Sequence, residues 1–251
     1  MPVSIIEVEQ WLNRLYVAAE GAGLREEDKR KAREVSAILE EVERAVARFS
    51  QRTPLVLVDA AAGKSYVGLL SAKLVLEPMN RQATVTSIER DAQRVEASRC
   101  ALSRLDTRIP VECRQADVET ESGWPEKVSI ITALHACGSA ADVIIDRTIA
   151  IGARVLLLVP CCTSNAMASS QRALVRADEL GIPRQAPVRR KFIQAMVDAE
   201  RTWRLEAAGY ETEVVEFVSP SVTPYNLLWR ARLVREPRRS EAAQRMLQTK
   251  F

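Results

Sequence analysis

The distribution of apolar positions divides the chain in two. Residues 4–20 carry Ile5, Ile6, Val8, Trp11, Leu12, Leu15 and Tyr16 at roughly helical spacing. A stronger helix is predicted from Glu26 to Phe49, where Val35, Ile38, Leu39, Val42, Val46 and Phe49 recur at three- and four-residue steps with charges on the other face. This region closes at Ser50-Gln51-Arg52-Thr53-Pro54. From Pro54 onward, short apolar runs alternate with helical stretches. Strands are expected at Leu55–Asp59, Ala83–Ile88, Pro110–Gln115, Val128–Leu134 and Arg154–Val159. Helices are expected between them at Ser65–Leu76, Asp91–Leu105 and Ser139–Ile151.

Such alternation favours an α/β fold, a parallel sheet covered on both faces. Beyond Pro160, helices are expected near Asn165–Leu180 and Pro187–Ala208, with Gly209 as a left-handed C-cap. Two further strands, Glu211–Val218 and Asn226–Val234, follow and permit an antiparallel pair. The simplest division is a helical extension over 1–53, one catalytic-type domain over 54–235 and a basic tail over 236–251. The first helices are expected to lid an acceptor cleft or to pack against the sheet's helices.

With 251 residues, 47% of them hydrophobic and 27% charged, the chain suits one substantial core and argues against disorder. The formal charge of +3 permits a nucleic-acid partner without indicating one. Charge is uneven, since Arg230 to Phe251 holds seven basic residues and two acidic ones. A second basic stretch contains Arg184, Arg189, Arg190, Lys191, Arg201 and Arg204. These segments read as solvated helix faces and a loose tail, or as a rim for phosphate contacts. No apolar run has the length of about 20 residues that spans a bilayer. Met1-Pro2-Val3-Ser4 lacks the pattern of a secretory signal. Five cysteines in a chain of this length do not suggest a disulfide framework. A reducing cytoplasm is the expected location, with no membrane partner; the oligomeric state is left open.

The chemistry concentrates in Val58-Asp59-Ala60-Ala61-Ala62-Gly63-Lys64-Ser65-Tyr66-Val67-Gly68, between the first strand and its helix. Small residues let backbone approach a ligand, and a helix N-terminus offers free N–H groups to an anion. Gly63-Lys64-Ser65 ends like a phosphate-binding P-loop, but Val58 stands where that motif needs its first glycine. The G-x-G-x-x-G dinucleotide pattern is also absent. A third reading has an acidic residue ending the strand before a small-residue loop. Asp59, Glu89 and Asp117 fall at the ends of three successive strands, the edge where open α/β sheets bind ligands. A carboxylate after the second strand can accept hydrogen bonds from ribose hydroxyls, and one after the third from an adenine amino group.

Four motifs in order carry a family resemblance. They are Asp59…Gly63-Lys64-Ser65-Tyr66, Leu134-His135-Ala136-Cys137-Gly138, Val159-Pro160-Cys161-Cys162 and Thr223-Pro224-Tyr225-Asn226. Residues 54–234 resemble a class I methyltransferase, specifically the domain of the methyltransferase-like 25 proteins, with features shared by tRNA 2′-O-methyltransferases. The resemblance implies a Rossmann-like, seven-stranded, mostly parallel sheet whose last strand is antiparallel. It implies S-adenosylmethionine as cofactor, held by Asp59, Ala61, Gly63, Ser65, Tyr66, Glu89, Arg90, Asp117, Val118 and His135. Ala61 and Ser65 stand where the family has glycines. Side chains there require a negative φ and an uncrowded cofactor.

His135, the single histidine, suits a general base by residue type, or it hydrogen-bonds the loop after the fourth strand and shapes the pocket. Cys137, Cys161, Cys162 and His135 have the ligand types of a zinc site. Adjacent cysteines rarely converge on one metal, so core packing is the expected role and no metal is assigned. The expected activity is in-line methyl transfer, which needs an aligned acceptor more than a strong acid/base pair. RNA is the favoured acceptor, tRNA or rRNA. A protein, a small molecule, or a binding module without turnover are the alternatives.

Overall fold

The computed structural model describes residues 3–18, 23–165 and 167–250. Ala19 and Glu20 at the end of the first expected helix, Ala166 in a later one, the start Met1-Pro2 and Phe251 lie outside the described residues. Helix α1 (Ile5–Leu12) widens into a π-helical turn over Asn13–Val17, and α2 spans Glu26–Ala47. There follow β1 (Leu55–Ala60), α3 (Tyr66–Leu70), β2 (Ala83–Glu89), α4 (Ala92–Arg104), β3 (Val111–Gln115), β4 (Ile130–Ala136), α5 (Ala140–Ile151) and β5 (Val155–Pro160). The chain closes with α6 (Ala168–Glu179), α7 (Ala186–Ala207), β6 (Tyr210–Glu216), β7 (Leu227–Leu233) and α8 (Pro237–Lys250). The helix expected over Ser65–Leu76 is split, because α3 passes into π geometry over Ser71–Leu76. The basic tail is helical and lies against α7.

The strands form one sheet in the order β3-β2-β1-β4-β5-β7-β6. Strands β1 to β5 pair in parallel, and β7 runs antiparallel to both β5 and β6. This is the Rossmann-like methyltransferase arrangement that the resemblance implied. The order reverses at β1 and β4, so the crevice beyond their C-terminal ends is the expected ligand position.

Side-chain alternation builds a core on each face. Leu55, Leu57, Val85, Ile130, Leu157 and Val159 join one cluster with Val35, Ile38, Leu39, Val42 and Val46 of α2. Val58, Ala60, Ile88, Ile131, Leu156 and Leu158 join the other with Ile144 and Ile145 of α5. The N-terminal helices therefore supply a layer of the sandwich. Arg230 of β7 reaches Glu41 of α2 at 2.7 Å and ties that layer to the sheet. Gly209 ends α7 at φ +91, as expected, and an added Cβ would lie 3.3 Å from Arg235 Cα.

Half of the basic stretch near α7 is internal. Arg201, 1% exposed, donates to Asp142 at 2.9 Å, and Arg189 donates to Asp178 at 2.7 Å. Arg204 pairs with Asp142 at 3.4 Å and also with Asp146. Neither solvated faces nor a phosphate rim describes these three. Arg184, Arg190 and Lys191 are exposed. Among the described residues, no helix is long and apolar enough to cross a membrane.

Candidate functional site

Three turns build the site. Beyond β1 the backbone enters the left-handed region at Ala61 (φ 52), Gly63 (φ 58) and Ser65 (φ 60). The negative φ required of Ala61 and Ser65 is therefore not adopted. Each costs about 1–2 kcal/mol relative to glycine, and surrounding bonds hold the conformation. Ala62 N–H donates to Ile88 O at 3.0 Å, and Ser65 N–H to Ala62 O at 2.8 Å. Ser65, fully buried, also hydrogen-bonds through Oγ to Ser87 Oγ.

Glu89 links this turn to the next. Its Oε2 accepts from Gly63 N–H at 2.8 Å and its Oε1 from Asp91 N–H at 2.9 Å. Asp91 in turn caps α4 by accepting from Arg94 N–H at 3.0 Å. The carboxylate is thus fixed before any ligand arrives, with lone pairs remaining for hydroxyl donors.

Asp59 sits beneath the turn, 1% exposed. Its Oδ2 accepts from Gly68 N–H at 2.8 Å and its Oδ1 from Thr132 Oγ1 at 3.3 Å. Burial drives its pKa up to about 7, with the nearby Glu89 charge acting the same way and the two hydrogen bonds opposing. Gly68 is required there, because a Cβ would collide with Ser87 Oγ and come within 2.9 Å of Ser65 Oγ.

After β3, Asp117 Oδ1 accepts from Glu119 N–H at 3.0 Å while Oδ2 lies 3.7 Å from Arg90 Nη1. Val118 is buried, and its carbonyl accepts from Trp124 Nε1 at 2.9 Å.

In β4, the register with β5 shifts between Leu134 and Ala136, and His135 takes φ 64. This bulge turns the ring toward α2, where Nε2 lies 3.1 Å from Glu34 Oε2. Glu34 also receives Lys31 Nζ. Burial opposes ionisation of Glu34, but hydrogen bonds from His135 and Lys31 prevail and hold its carboxyl below the usual range. An ionised Glu34 only accepts, so the hydrogen bond between the two carries its proton on Nε2. Nδ1 is buried without a hydrogen-bond partner among the described residues.

A cleft of about 520 Å³ brings Ala61, Glu89, Arg90, Asp117, Val118 and His135 together. That size suits a small-molecule or cofactor site. Asp59, Gly63, Ser65 and Tyr66 do not line it. Asp59, Gly63 and Ser65 shape the turn from behind, and the Tyr66 ring meets Tyr16 edge-on at 4.6 Å.

The residues that sequence reasoning missed include Arg94, which lines the cleft, and Glu34, which carries the His135 contact. Glu34 and Glu41 are seven residues apart on a helix and interrupt its apolar stripe beside Val35, Ile38 and Val42, a pattern that marks buried acids.

The cysteines depart from expectation. Cys137 and Cys162 are exposed rather than core residues, and Cys137 forms a disulfide with Cys161. They follow the ends of β4 and β5, beyond the layers that bury the strands.

The sequence matches the family described as "Methyltransferase domain" over residues 30–169. Among curated proteins, no sequence matches. Solved structures of similar fold include the CurJ carbon methyltransferase, 10% identical with a TM-score of 0.51, covering 92% of this chain and 58% of that one. The CMeT domain of the citrinin polyketide synthase is 12% identical with a TM-score of 0.51, covering 92% of this chain and 66% of that one. Magnesium protoporphyrin IX methyltransferase from Synechocystis PCC 6803 is 13% identical with a TM-score of 0.48, covering 91% of this chain and 99% of that one.

Proposed function

Because this chain belongs to a family of methyltransferase domains, we propose that it transfers the methyl group of S-adenosylmethionine to an RNA acceptor. The observation that carries the cofactor reading is Glu89, held by Gly63 and Asp91 N–H groups at the edge of a cleft shared with Asp117. Glu89 accepts the ribose hydroxyls, Asp117 the adenine amino group, and Ala61 packs beside them. S-adenosylmethionine supplies a methyl group already activated by the positive sulfur. The chain's own task is to align the acceptor and take its proton. His135, on the cleft wall, is the base, and Glu34 orients its ring through Nε2.

The RNA reading rests on exposed Arg184, Arg190 and Lys191 and on Arg90 and Arg94 at the cleft. The motif set leads us to the methyltransferase-like 25 type within the family. Internal pairing of Arg189, Arg201 and Arg204 favours a second reading, a protein or small-molecule acceptor. Methyl-labelling assays on total tRNA, rRNA and protein fractions separate the two. Label in an RNA fraction supports the first, and label in no RNA fraction refutes it.

A further inference from the structure

The cysteines after β4 and β5 form a cluster that methyl transfer does not require. The Cα atoms of Cys137 and Cys161 are 5.2 Å apart across their disulfide, and Cys162 Sγ lies 3.7 Å from Cys161 Sγ. All three sulfurs fall within 4.8 Å of one another. The grouping does not depend on the disulfide alone. Cys161 N–H donates to Ala136 O, and Gly138 N–H to Cys162 O, each at 3.2 Å. These bonds hold the two loops together when the sulfur bond is open.

Two thiolates on a tetrahedral zinc ion, each about 2.3 Å from the metal, stand about 3.8 Å apart. The Cys161–Cys162 separation of 3.7 Å meets that spacing. Adjacent cysteines in a strand point to opposite faces, but these two lie past Pro160, where β5 has ended. A disulfide needs two sulfurs; the third is left over beside it.

We propose that in the reduced chain Cys137, Cys161 and Cys162 supply three thiolates to a soft divalent ion such as zinc. Cys137 and Cys162 both line the cleft, so the ion sits on its wall. The fourth position is open there to water or to a soft donor atom of a bound molecule. Three protein ligands with an open position characterise reactive rather than structural zinc sites. Loading begins when a dithiol gives two electrons and two protons to the Cys137–Cys161 bond and itself becomes a disulfide. The ion then displaces three protons, one from each thiol.

The test uses the full chain, reduced with a phosphine and titrated with cobalt(II) as a spectroscopic probe, then with zinc in competition. One ion per chain, with a thiolate-to-cobalt charge-transfer band that zinc abolishes, is the expected result. Cys162→Ser should weaken binding by at least about tenfold, whereas Cys100→Ser, at an exposed thiol outside the cluster, should not. Oxidised wild-type chain provides a comparison without any substitution and should bind no ion. Absence of stoichiometric binding by reduced chain, equal binding by oxidised chain, or unchanged affinity in a folded Cys162→Ser variant would each overturn the proposal. None of these readouts depends on methyl transfer.

Discussion

Replacing Asp59 by Asn should stabilise the protein at neutral and higher pH while leaving it little changed in acid. Asp59 is buried beneath the cofactor turn, and its pKa rises from 3.8 to about 7 on folding. Between those values the folded chain retains a proton that the unfolded chain has released. Stability from this group is therefore complete below about pH 4, is lost as pH rises toward about 7, and then stays level. The interval between 3.8 and about 7 corresponds to about 4 kcal/mol. Asparagine removes the titration and keeps the contacts. Its Oδ1 accepts from Gly68 N–H, and its amide donates to Thr132 Oγ1, which itself donates to Val58 O at 3.4 Å. Urea unfolding followed by tryptophan fluorescence, at a series of pH values from about 4 to about 8, measures the difference. The two stabilities should agree within about 1 kcal/mol at the acid end and diverge by up to about 4 kcal/mol at the basic end. Parallel curves, or a less stable Asn variant at high pH, would show that Asp59 is ionised throughout and that its charge is favourable.

Glu89→Gln should weaken S-adenosylmethionine binding by about 1.5–3 kcal/mol in calorimetric titration, since a charged acceptor is lost. Unchanged affinity would remove Glu89 from the ribose. His135→Ala should lower methyl transfer by about 10²–10⁴-fold with cofactor affinity largely kept, and Glu34→Gln should lower it less; an active His135→Ala enzyme refutes the base. Gly68→Ala should cost about 1–3 kcal/mol of stability, because its Cβ meets Ser87 and Ser65, and a variant as stable as wild type in denaturant would show that the turn can yield.

The sheet was legible because its strands are short apolar runs with both faces buried. Leu55, Leu57 and Val58 already carry the alternation that divides the two cores. Glu89 and Asp117 were legible because their place depends on strand ends alone. The functions of Asp59, Ser65 and Tyr66 were less so. Spacing around a strand end does not state whether a side chain faces the ligand or the interior, and these three face inward or sideways. The positive φ at Ala61 and Ser65 is not legible in the sequence, because neighbouring hydrogen bonds, not residue type, hold it. The His135–Glu34 contact joins residues about a hundred positions apart. Only the bulge in β4 brings them together, and a bulge leaves no periodic trace.

Helix α2 fills one face of the sheet and also delivers Glu34 to the ring of His135. A shortened chain beginning at residue 54 would therefore lose more than an appendage. The apolar face of Leu55, Leu57, Val85 and Leu157 would meet water and favour aggregation, and the imidazole would lose its anionic partner. Any exchange of this front segment between relatives must bring both an apolar helix and a carboxylate in the right place, so the segment and the cleft are constrained to change together.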